Sequence, residues 1–180
     1  MVIDDPQLLF YLNNTSESHL SSLSGKKDIK KREKVFISYS HKDIAYYDRI
    51  MVHLKPLFRD SQIDIWSDKR IKPGEKWNKE IESALEEAKL AILLISADFL
   101  ASDYINEKEL PSLIKASSLE GAVIIPVFLK PGNLNRFENI TEYQGINTPS
   151  TTIIDLPENE QEKLFVKLSQ RVEEIYSNIA

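Results

Sequence analysis

At 180 residues the chain is long enough for one domain of ordinary size with residues to spare, and 42% hydrophobic with 28% charged residues is the balance of a globular protein with a core, which excludes disorder of the whole chain. A net charge of -5 argues against a general nucleic-acid binder, which needs a basic face for phosphates. Cysteine is absent and the three histidines, His19, His41 and His53, lack ligand spacing, so disulfides, a Cys nucleophile and a metal site are not expected.

No apolar run approaches the roughly 18 to 20 residues that span a bilayer, and Leu8–Leu12 lacks the basic flank of a signal peptide. A cytoplasmic protein without membrane contact is the expectation. Residues 1–33 read as an N-terminal segment that becomes Ser-rich between Asn14 and Gly25 and basic from Lys26, in the manner of a linker. The folded domain is expected over residues 34–180.

Val35–Ser40 is a compact β-favouring run that turns polar at its end, as a buried parallel strand does on leaving the sheet. Ile44, Tyr47, Ile50, Met51, Leu54, Leu57 and Phe58 follow at helical spacing, with Asp43 expected as N-cap. Ile63–Trp66 reads as a second strand, and Pro73-Gly74 marks a turn before a helix lined by Trp77, Ile81, Ala84, Leu85 and Ala88. Leu90–Ser96, nearly all apolar, is the expected central strand. Pro111 fits a helix only in its first turn, so the next helix is expected from near Leu110 to Gly121, a C-cap residue. Ala122–Leu129 reads as a fourth strand, its Pro126 pointing to an edge or a bulge. Residues 130–150 read as a long loop, Thr151–Leu156 as a fifth strand, and Leu164, Phe165, Leu168, Val172, Ile175 and Tyr176 as the face of a last helix.

Strands alternating with helices predict a flavodoxin-like α/β domain: a five-stranded parallel sheet of order 2-1-3-4-5 with helices on both faces. In such sheets ligands sit outside the carboxyl ends of the strands at the switch point. That rule gathers Tyr39, Ser40 and His41, then Trp66 and Asp68, then Ser96 to Tyr104.

Neither a glycine-rich phosphate cradle nor a G-x-S-x-G elbow occurs. A receiver domain would need an acidic pair after strand 1 and an aspartate ending strand 3, where Ser38-Tyr39-Ser40-His41 and Ser96 stand instead. What remains is Phe36-Ile37-Ser38-Tyr39-Ser40-His41-Lys42-Asp43, Ile65-Trp66-Ser67-Asp68, Ile71-Lys72-Pro73-Gly74 with Trp77, and Leu94-Ile95-Ser96 through Phe99, Ser102 and Glu109-Leu110. In that order and at those spacings they resemble the TIR (Toll/interleukin-1 receptor) domain in its bacterial branch, over residues 34 to about 178.

The resemblance implies one of two functions. Some TIR domains cleave the nicotinamide-ribose bond of NAD+, often as anti-phage defence effectors after self-association; others are noncatalytic adaptors. It assigns the catalytic role to Glu109 before Leu110, although several relatives carry an aromatic four residues ahead of that glutamate and Tyr104 lies five ahead. It also implies that the loop Ile71–Trp77 mediates TIR-TIR contacts, that a sensor domain or protein partner delivers the activating signal, and that NAD+ is substrate with no further cofactor.

Helical geometry by itself leaves Glu107 and Glu109 open, because at about 100° per residue they flank the Leu110, Leu113, Ile114, Ser117 face on opposite sides. Both also read as acids favoured at a helix start. The chemistry tolerates a single carboxylate: nicotinamide departs from NAD+ as a neutral group, so no acid is needed to protonate it, unlike the leaving oxygen of an ordinary glycoside. A flat pyridinium cation would stack on Trp66, Trp77, Phe99 or Tyr104, while Tyr39, Ser40, His41 and Asp68 are candidates to contact the rest of the dinucleotide. Trp77 and Asp68 also read as a core residue and a turn residue.

Overall fold

The apolar runs pair into one parallel sheet. The computed structural model describes residues 33–59, 63–67 and 77–177, and the first 32 residues lie outside it. Its strands are β1 (Lys34–Ser38), β2 (Asp64–Trp66), β3 (Ala88–Ile95) and β4 (Val123–Phe128). They are ordered β2-β1-β3-β4, all parallel, with Phe36 opposite Trp66 on one side and Ala91 on the other.

The helices are α1 (Ile44–Arg59), α2 (Trp77–Glu87), a short α3 (Ala97–Leu100), α4 (Leu110–Glu120), a short α5 (Glu138–Thr141) and α6 (Glu158–Ser177). Alternation along the strands sorts the core into two halves. Val35, Ile37, Leu90, Ile92 and Leu94 meet Ile50 and Leu54 of α1 and Phe165, Leu168 and Val172 of α6. Phe36, Ala91, Leu93 and Ile95 face the other way, against Ile81, Ala84 and Leu85 of α2 and Leu110 and Leu113 of α4. The result is the expected three-layer α/β fold, with β3 buried from Leu90 to Ile95 because it is covered on both faces.

Pro126 sits on β4, one of the two edge strands among the described residues. Its carbonyl accepts from the Ile146 N–H, away from β3, so the missing N–H of proline falls on the side where no strand needs it. Helix α4 begins at Leu110 with Pro111 in its first turn and ends on Gly121, the described glycine with positive φ (74°). A π-turn over Ile105–Glu109, not foreseen in the sequence, runs directly into it.

Three expectations are corrected. No fifth strand forms among the described residues: Thr151 makes only an isolated antiparallel bridge to Thr148, and Ile153–Asp155 is a 3-10 turn. The cause is local, since the Asp155 carboxylate accepts from both the backbone N–H and the hydroxyl of Thr152, and this capping box curls the chain. The loop 130–150 is partly helical, with a 3-10 turn at Leu134–Arg136 and α5. Asp43 does not cap α1; Ser40 caps a 3-10 turn, His41–Asp43, and the Asp43 carboxylate turns inward.

Candidate active site

The chain reverses the direction of sheet growth between β1 and β3, and the carboxyl ends of these strands open there, as the sheet rule requires. A cavity of about 170 Å³ occupies the opening, lined by Phe36 to His41, Trp66, Ser102, Tyr104, Ile105 and Glu109. That is below the roughly 300 Å³ of pockets that bury a whole drug-sized ligand. It suits one ring and its immediate linkage, not an entire dinucleotide.

Glu109 is the acid inside this cavity. It is 8% exposed, and its Oε2 accepts a hydrogen bond from the Ser38 hydroxyl at the end of β1. Glu107, two residues earlier, is exposed and does not line the cavity. The π-turn explains the geometry. The Leu110 N–H reaches back to Ile105 O, five residues away where a regular α-helix spans four, so the turn is widened and the side chains that follow it are rotated about the axis. Tyr104, which precedes the π-turn, and Glu109, which ends it, both line the cavity.

Burial first, then the negative charges of Glu109 and Glu82, push the Tyr104 phenol up to about 12. It stays protonated at any working pH and can donate a hydrogen bond. Across the cavity Tyr39 stacks on Tyr47, with centroids 4.4 Å apart and planes at 17°, and meets His41 edge-on at 6.0 Å. Trp66, which also lines the cavity, is 6% exposed and lies flat on Phe36 at 5.0 Å, so one of its faces is covered.

Of the residues singled out in the sequence, Tyr39, Ser40, His41, Trp66, Tyr104 and Glu109 come together here. Phe99 does not, which corrects the expectation that it stacks on a ligand: it is fully buried in the α2/α4 core. The reason is the Ser96 hydroxyl, which accepts from the Phe99 N–H, starts α3 and turns the ring inward. Asp68, the loop 71–76 and the Trp77 side chain lie outside the described residues. Ser102 lies within the span Ser96 to Tyr104 that the sheet rule gathers, whereas Ser38 and Ile105 are given no role at the site by the sequence alone. Ser38 is polar at a strand position facing the same side as apolar Phe36, and that break in alternation was the readable signal.

Behind the cavity, Asp43 is 1% exposed and carries a partner on each oxygen: Ser96 Oγ donates to Oδ2 at 2.5 Å and Lys130 Nζ to Oδ1 at 2.6 Å. The network ties the turn bearing Ser40 and His41 to the ends of β3 and β4. Among the described residues no cluster of His, Asp and Glu is placed to hold a metal ion, and no helix is long and apolar enough to cross a membrane.

Fold and site together define a doubly wound α/β domain with a carboxylate in an aromatic-walled opening at its switch point. The chain belongs to the TIR domain family, whose model matches residues 35–168. An uncharacterized protein of Sinorhizobium fredii, y4lF, is 35% identical over 96 residues, 53% of this chain and 30% of that protein. The chain thus spans less than a third of that relative's length. Among solved structures, the TIR domain of the Toll-related receptor TRR-2 from Hydra magnipapillata matches with a TM-score of 0.53 and 20% identity, covering 79% of this chain and 97% of that one. At that identity the likeness speaks for the fold. The family includes NAD+-cleaving and adaptor members, and its domains commonly self-associate.

Proposed function

We propose that the chain is an NAD+ glycohydrolase that cleaves the nicotinamide-ribose bond, gives ADP-ribose or a cyclic ADP-ribose, and acts in bacterial immunity once self-association has activated it. One observation carries this reading: the Glu109 carboxylate stands in the cavity at the switch point, oriented by Ser38, while Glu107 faces outward. As the C–N bond breaks, positive charge gathers on the ribose C1′ and O4′. A carboxylate held beside the ribosyl centre stabilises that charge as it develops. The electron pair of the bond leaves with nicotinamide, which becomes neutral and needs no proton. Water at C1′, releasing its proton to solvent, then gives ADP-ribose, and a nitrogen of the same adenine gives the cyclic product.

Tyr104 supplies an aromatic surface for the departing ring, and Ser40 and His41 sit where they can meet the ribose and phosphates. The loop 71–77 is the proposed contact between copies. Nicotinamide release from concentrated protein tests the reading. Glu109→Gln is expected to lose at least about a hundredfold in kcat, and Glu107→Gln is expected to remain within about twofold of wild type.

A noncatalytic adaptor is the second reading. It is favoured by Glu109 being largely buried with a hydroxyl on one oxygen, as a structural carboxylate also would be. Under that reading no nicotinamide appears even when oligomerisation is enforced, and Glu109→Gln leaves self-association intact.

A further inference from the structure

Alternation along β1 sends Val35 and Ile37 toward α1 and α6, and Phe36 toward the layer that holds α4. Ser38 occupies the next position on the Phe36 side, paired with Leu93 of β3, and only 3% of it is exposed. An apolar residue there would simply extend the core. The serine instead donates its hydroxyl proton to Glu109 Oε2, across 71 residues of sequence.

The two ends of this bond are rigid. Ser38 is the last residue of a strand paired on both sides earlier in its length, and Glu109 closes the π-turn and precedes Pro111. A hydroxyl that donates to a carboxylate fixes the rotation of the carboxylate plane and favours its charged form. The same carboxylate is the group that must be charged and aimed when ribose becomes cationic.

We infer that Ser38 is a positioning residue: it holds Glu109 ionised and turned into the cavity, and it takes no part in bond making or breaking. The inference rests on the reading of Glu109 as the catalytic carboxylate. Removing the donor costs orientation and charge and leaves substrate contacts in place. Ser38→Ala is therefore expected to lower kcat about tenfold with KM within about twofold, and to move the acid limb of the pH-activity profile up by about one pH unit. Ser38→Thr, which keeps the hydroxyl, is expected to restore both.

The experiment compares wild type, Ser38→Ala and Ser38→Thr for nicotinamide release across pH, beside a carbon-13 NMR titration of the Glu109 carboxyl, with Glu109→Gln to assign the signal. An upward shift of that titration in Ser38→Ala, reversed in Ser38→Thr, supports the positioning role whether or not NAD+ is turned over. A titration unmoved in Ser38→Ala overturns it, and so does an unchanged acid limb in an active Ser38→Ala. Absence of turnover in the wild type together with a shifted titration sinks the glycohydrolase reading alone.

Discussion

Asp43 is a carboxylate buried behind the site and held by two partners. Its side chain is wholly buried, while that of its partner Lys130 is 29% exposed and lies 5.8 Å from the centre of the Tyr46 ring. The hydrogen bond to Asp43 is the main reason the Lys130 ammonium is held above its ordinary range. Removing the lysine strands a charge where water cannot reach it, so Lys130→Met is expected to cost about 2 to 4 kcal/mol in urea unfolding. The exposed pair Lys163–Glu160 is the control, and Lys163→Met is expected to cost under about 0.5 kcal/mol. Comparable losses in both would show that the buried network does not anchor the turn carrying Ser40 and His41. Tyr104 makes a second prediction at this scale. With its phenol pushed to about 12, it cannot contribute an alkaline limb to activity below about pH 10. Tyr104→Phe should then superimpose on wild type in the shape of the alkaline side, and a limb present only in wild type would contradict the assignment.

At the scale of elements, the edge of β4 shows why periodicity in the sequence stopped short of the fold. The apolar runs were legible as strands because burial on both faces leaves no alternative composition, and α1, α2, α4 and α6 were legible from their apolar stripes. Nothing in a run such as Thr151–Leu156 announces that Thr152 and Asp155 will bond to each other and curl the chain. The place a fifth strand would take beside Phe128 is filled by one side chain: Asn147 Oδ1 accepts from the Phe128 N–H at 3.0 Å, and Asn147 Nδ2 donates to the Phe128 carbonyl at 2.9 Å and to the Thr151 carbonyl. The site was half legible for a related reason. Its strand-end residues follow from the sheet rule, but Ser38 with Glu109 and Asp43 with Lys130 are 71 and 87 residues apart, beyond any local pattern. Asn147→Ala is expected to lower stability by about 2 kcal/mol and to speed amide exchange at Phe128, since an open edge is left without partners. Exchange at Phe128 as slow as in wild type would mean that something else guards the edge.

Across the whole molecule, one ionic clasp joins the helix that follows the first strand to the helix at the far end of the domain. Arg49 of α1 grips Glu162 of α6 with two nitrogens, the Nε at 2.7 Å, and His53 Nε2 lies 3.0 Å from the same carboxylate. Beneath it Phe165, Leu168 and Val172 complete the core half that α1 begins. The Arg49 hydrogen bond, aided by His53, depresses the Glu162 carboxyl from 4.5 to about 2. A carboxyl depressed in the folded state stabilises the fold while it is ionised in both states, above about pH 4.5, and loses that contribution as pH falls toward 2. With Arg49 half exposed and Glu162 29% exposed, solvent and salt screen the clasp and keep it modest. The wild type is therefore expected to be more stable than Glu162→Gln at pH 7, by a margin that narrows in steps at pH 4, 3 and 2.5 and shrinks in high salt. Urea unfolding at those values measures it. A margin independent of pH would place the contribution of Glu162 in packing and leave α6 held by its apolar face alone.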